Sequence, residues 1–131
     1  MYYIYHVKTI AYIALGGALG ALARYGIGLF LKPESTAIFP IHTFLINLTG
    51  SFLIGLSTFI LSRTYNTELV QLLIITGILG GFTTFSSFSI ESVQLIQQGK
   101  ITTVAVYITL STLLGITMAW IGYSLPKLFT A

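Results

Sequence analysis

The stretch GILGGFTTFSSFS, residues 77–89, decides how this chain is read. It lies inside an apolar run, 69–96. About 28 residues of continuous helix would be about 42 Å long, against a hydrocarbon core of about 30 Å. Gly80-Gly81 followed by Thr83-Thr84 is where such a helix is expected to unwind. A broken helix survives in hydrocarbon only where the freed carbonyls meet protein, water or an ion. A small hard cation such as Na⁺ suits those carbonyls without any acidic ligand. Beyond the break two stripes emerge. Phe82, Phe85 and Phe88 recur every three residues, and Thr84, Ser87, Glu91, Gln94 and Gln98 follow a 3-4-3-4 rhythm that makes a polar line beside them.

Three further runs have the length of a membrane span, which gives four: 10–31, 38–61, 69–96 and 101–125. The first ends in the turn-like KPEST, where Pro33 blocks continuation. The fourth is stopped by Pro126. Composition agrees with this count. Of 131 residues 55% are hydrophobic and 7% charged, against about 25% charged in soluble domains. The mean hydropathy is +0.92. The first run resembles a signal peptide in having His6, Lys8 and a small-residue Ala21-Leu22-Ala23, but its hydrophobicity continues to Leu31 and three more spans follow, so it is read as a transmembrane helix. The sequon Asn47-Leu48-Thr49 falls inside a span, beyond a transferase's reach. Fold class is therefore all-α, as one four-helix transmembrane domain over residues 1–131.

Charge and composition remove other classes. Nine scattered charges with a net +3 make no basic patch, so nucleic acid is not an expected partner. Without Cys or Asp, and with two separated His residues, no nucleophile–base or zinc constellation exists, and an enzyme is not expected. Four spans put Lys8, Arg63 and Lys127 on one side of the membrane and Lys32 and Lys100 on the other. That bias is too small to impose one orientation under the positive-inside rule. Both orientations are expected, and two opposite copies could pair.

The polar residues within the spans carry the chemistry. Gly16 and Gly20 make a GxxxG pair, which lets helix backbones approach. Arg24 lies about two turns from Leu31. A charge inside a span costs at least ~2.5 kcal/mol, so Arg24 is either a snorkelling anchor or an anion-attracting vestibule residue. Thr43, Asn47 and Ser51 share one helix face. Asn47 is either interhelical glue or a donor to a passing solute. His42 reads as an interfacial residue. In the fourth span Thr103, Tyr107, Ser111 and Gly115 lie at steps of four. These spans are rich in hydroxyl and amide donors and nearly free of charge. Phenyl edges are also positive. Weak donors and ring edges suit a small, strongly hydrated anion that must enter and also leave.

GGALGALARY (16–25), TFLINLTGSFLIG (43–55), GGFTTFSSFSIE (80–91) and Tyr107 with Ser111 resemble the Fluc (also called CrcB) family of small bacterial fluoride channels over essentially the whole chain. The resemblance implies an antiparallel, dual-topology homodimer in the bacterial cytoplasmic membrane that exports fluoride passively through two pores. It implies that Asn47 donates to fluoride while Phe85 and Phe88 present ring edges to it. Thr43, Thr84, Ser87, Glu91, Tyr107 and Ser111 would form a polar track, and Arg24 would sit at the vestibule mouth. The backbone carbonyls of Gly80 and Thr83 would hold a central Na⁺, with one set from each subunit. The chain departs from the expected pattern at Gly115, where another small hydroxyl residue would continue the track. Small multidrug exporters share the size and dual topology, but they need a glutamate in the first span, where this chain has Arg24. A purely structural membrane subunit would leave Asn47, the break and the polar line unexplained.

Overall fold

The computed structural model describes residues 2–30, 39–63 and 68–129, with side chains from residue 5. Four helical rods account for them, each long and apolar enough to cross a bilayer, and no strand occurs among the described residues. The first rod is α1, Tyr2–Phe30. The second is α2, Ile41–Arg63. The third, Glu68–Gln97, is composite: α3 (Glu68–Gln71), a π-helical stretch (Leu72–Leu79), α4 (Gly80–Phe82) and α5 (Phe85–Gln97). The fourth is α6, Ile101–Ser124, continued by a 3-10 turn over Leu125–Phe129.

The ends of the rods differ from the expected bounds for local reasons. α1 begins at Tyr2 rather than at residue 10, and carries His6 and Lys8 on helix. α2 starts at Ile41 rather than 38, because a residue before proline is disfavoured in helix and Phe39 precedes Pro40. The Pro40 carbonyl accepts the first helical bond from Phe44 N–H at 3.1 Å. Pro126 lies within the 3-10 turn that extends the fourth rod, instead of ending it. The expected KPEST turn, with Lys32, Pro33 and Glu34, and the segment 64–67 lie outside the described residues.

Between α5 and α6 the chain reverses through Gly99, at φ +70°. Gly99 N–H donates to the Ile96 carbonyl and Lys100 N–H to the Leu95 carbonyl, each at 2.9 Å. This is a Schellman ending, in which a left-handed residue lets the last carbonyls find donors, and glycine takes that conformation without a Cβ clash.

The rods pack in two pairs. α1 runs along the first half of the third rod, and α2 along α6. The first seam is made of glycine. A Cβ on Gly16 would collide with the Leu73 carbonyl oxygen and one on Gly20 with that of Ile78, while one on Gly81 would lie 2.6 Å from that of Gly17. The second seam repeats the device, with Gly55 against the Ala119 carbonyl and Gly122 against that of Phe52. Leu15, Leu19 and Leu22 on α1 and Leu113, Ile116 and Trp120 on α6 face outward, as they can where the solvent is lipid.

Candidate functional site

The break in the third rod falls at two residues. Within the expected break at Gly80–Thr84, Thr83 (φ −76°, ψ 157°) and Thr84 (φ −147°, ψ 112°) are extended, whereas Gly80 and Gly81 remain helical. Gly81 serves the seam with α1 instead. What ends the helix is a competition for donors. Thr84 N–H, which would close a bond to the Gly80 carbonyl, donates instead to Asn47 Oδ1 at 2.8 Å. Asn47 Nδ2 returns a bond to the Thr84 carbonyl at 3.0 Å. Ser87 N–H, which would reach the Thr83 carbonyl, goes to Thr84 Oγ1 at 3.1 Å, so Thr84 caps α5. The Thr84 hydroxyl also meets Ser87 Oγ at 3.0 Å.

The carbonyls of Gly80 and Thr83 are thereby released from the helical ladder, since their amide partners are committed to side chains. Released backbone oxygens with no carboxylate beside them are the donor set that a hard monovalent cation takes. By donor type, the two carbonyls suit the Na⁺ that the sequence resemblance implies at Gly80 and Thr83. Among the described residues no group of three His, Asp or Glu side chains could form a rival metal site.

Further along α5, Glu91 joins three rods. Thr43 Oγ1 on α2 donates to Glu91 Oε1 at 2.6 Å, and the Tyr107 hydroxyl on α6 donates to Oε2 at 2.7 Å. Tyr107 is 0% exposed and Thr43 2%. The Tyr107 ring packs against Phe88 (centroids 5.1 Å apart) and against Phe39, edge-on at 5.2 Å. Sequence periodicity places Glu91, Thr43 and Tyr107 on faces of three separate helices. It does not show that they meet, and Phe39 carries no signal beyond being an aromatic residue before a proline.

Beside this cluster the side chains open onto two cavities that share Asn47 and Phe85. One, of about 280 Å³, is lined by Asn47, Phe85, Phe88, Ser111, Thr112, Gly115 and Ile116. The other, of about 260 Å³, is lined by Asn47, Gly50, Ser51, Ile54, Thr83, Thr84 and Phe85. Phe85 and Phe88 lie with centroids 5.6 Å apart, and Phe85 is 78% exposed. Ser111 Oγ is buried and no described residue takes its hydrogen bond. A Cβ at Gly115 would lie 3.7 Å from Ser51 Oγ, so α2 supplies a hydroxyl at the level where α6 presents glycine. Arg24 stands apart on α1, half-buried, and its Nε finds no partner among the described residues. One turn further along α1, Gly28 leaves room for the His42 imidazole.

A family model described as CrcB-like protein, Camphor Resistance (CrcB), matches residues 11–123, a range that takes in the Glu91 cluster, both cavities and the break. The chain belongs to the CrcB family. With four rods suited to crossing a bilayer, this CrcB chain is a multi-pass membrane protein. A protein of Flavobacterium psychrophilum named "Fluoride-specific ion channel FluC" is 40% identical over 122 residues, covering 92% of this chain and 98% of the relative. A protein of the same name from Thermus thermophilus is 41% identical over 119 residues, 91% of this chain and 94% of that protein. That of Azobacteroides pseudotrichonymphae is 37% identical over 124 residues, 94% and 99% respectively.

Proposed function

We propose that this CrcB chain is a subunit of a fluoride-selective channel that lets fluoride leave the cell down its gradient. The subunits would pair as an antiparallel homodimer in the bacterial cytoplasmic membrane, with two pores. The observation that carries this reading is the cavity between α2, α5 and α6, where, beside Asn47, Phe85 and Phe88, the buried Ser111 hydroxyl has no partner among the described residues. The names of relatives about 40% identical over most of their length support the choice of ion.

The chemistry follows from the groups present. Fluoride is small and strongly hydrated, so a path must replace its water with donors and yet not hold it. Asn47 uses one amide hydrogen on Thr84, which leaves a second for an anion in the cavity. Ser111 offers a hydroxyl and the rings offer positive edges, while no cationic side chain among the described residues lines the cavity to trap the ion. Thr84 and Ser87 shape the start of α5, and Glu91 holds the hydroxyls of Thr43 and Tyr107 at one level of the path. Arg24 would raise the local anion concentration at the vestibule. The Gly80 and Thr83 carbonyls of both subunits would hold Na⁺, which supplies the positive charge that unpaired carbonyls in hydrocarbon require. The near-even split of the cations outside the span centres, Lys8, Arg63 and Lys127 against Lys32 and Lys100, favours insertion in both orientations.

Liposomes containing the protein and loaded with equal fluoride and chloride should release fluoride and retain chloride. Equal efflux of both ions defeats the proposal. Repeating the measurement on protein purified without Na⁺ should give slower fluoride efflux that recovers when Na⁺ is restored.

A further inference from the structure

Two cations at one end of the bundle are left out of the pathway above. Arg63 is the last residue of α2, and Lys127 lies in the 3-10 turn that follows α6. The Gly55 and Gly122 contacts bring these two helices together on the way to that end. There Phe59 and Tyr123 meet edge to face, with centroids 5.7 Å apart. The Arg63 guanidinium carbon lies 4.6 Å from the centre of the Phe59 ring, and Lys127 Nζ lies 4.4 Å from that of Tyr123. One aromatic pair thus carries a cation on each of its two rings. Both cationic side chains are exposed.

Neither cation has an acidic partner among the described residues, and the two described carboxylates are already engaged. Glu68, at the same end, accepts from the Tyr5 hydroxyl at 2.5 Å. Glu91 accepts from Thr43 and Tyr107. A ring face attracts a cation but does not neutralise it, and the N–H groups on the far side still seek acceptors. The surroundings are those of a membrane boundary: Trp120, Leu128 and Phe129 are exposed on the same end of the fourth rod, at 69%, 76% and 82%.

We propose that Arg63 and Lys127, held on Phe59 and Tyr123, form a site for the phosphate of an anionic phospholipid headgroup, bridging the ends of α2 and α6. The apolar groups around the site select a lipid over a soluble anion, because acyl chains can cover Trp120 and Phe129 while the phosphate meets the two cations.

The test uses the full-length protein in detergent micelles, supplied with phosphatidylglycerol or phosphatidylcholine of matched chains. Lipid retained on the intact protein is read by native mass spectrometry. The wild type is expected to keep phosphatidylglycerol preferentially. Arg63→Gln/Lys127→Gln should lower that preference roughly thirty-fold, the scale of two interfacial cations on one headgroup. Lys127→Gln alone, a milder change beyond the last α-helical turn, should lower it roughly five-fold. The charge-keeping pair Arg63→Lys/Lys127→Arg should retain it, as should Lys100→Gln at the other end of the bundle. An unchanged preference in both Gln variants overturns the proposal, and so does displacement of the lipid by equimolar inorganic phosphate. Fluoride transport is not the readout, so failure of the channel reading would leave this result interpretable.

Discussion

The third rod touches its neighbours in two different ways, and Thr83-Thr84 is the border between them. Before the border, the π-helical stretch and α4 meet α1 through main chain, with Gly16, Gly20, Gly77 and Gly81 removing the side chains that would hold the helices apart. After it, the chain meets α2 and α6 through side chains that hydrogen-bond: Asn47 with Thr84, and Glu91 with Thr43 and Tyr107. The first half is a structural seam, intolerant of volume and indifferent to chemistry. The second depends on donors and acceptors held at fixed positions. A substitution should therefore damage assembly on one side of the border and conduction on the other.

The strongest way to break this contrast is Gly20→Ala. Its methyl would run into the Ile78 carbonyl oxygen and lie 2.8 Å from Phe82 N, both main-chain atoms that cannot rotate away. Loss of monodisperse protein on gel filtration is expected, whereas Gly17→Ala, with nothing within 4 Å of its added Cβ, should elute as wild type. A well-folded Gly20→Ala would show that the seam is slack. Next in size is Phe85→Ile, which should abolish or strongly reduce fluoride efflux from liposomes while leaving the thermal unfolding midpoint unchanged, because Phe85 is 78% exposed within the subunit. Wild-type efflux would remove the ring-edge role. The smallest effect is expected from Tyr107→Phe. It deletes one bond to a carboxylate, which should lower stability by about 1.5–3 kcal/mol in denaturation and reduce efflux less than Phe85→Ile does.

The four rods are legible in the sequence because hydrocarbon thickness dictates the length of an apolar run, and hydropathy reports that length directly. The break is legible too, within a few residues. Gly80-Gly81 draws attention to the right place for the wrong reason, since glycine next to a polar run signals flexibility while Gly81 is used for close approach to Gly17. The residue that diverts the ladder, Asn47, lies 37 positions away, and periodicity within one helix has no access to such a pairing. The π-helical stretch is hidden for a similar reason. LLIITGIL reads as apolar at any helical pitch, so the wider turn is decided by packing against α1. Thr43, Glu91, Tyr107 and Ser111 are each identifiable as polar groups in hydrocarbon, but their grouping into a triangle and an unpartnered hydroxyl requires the tertiary fold.

The reciprocal pairing of Asn47 with Thr84 has the form of a single rung of β-ladder set inside a helical membrane protein, with a side-chain amide in the role of a neighbouring strand. A rung needs a donor and an acceptor side by side at fixed separation, and the carboxamides offer both. Aspartate keeps the outline and loses the donor, leucine keeps the volume and loses both, and glutamine keeps both but reaches one methylene too far. For a lineage carrying this gene, codon 47 is accordingly a position where drift has almost no silent exit other than a synonymous one.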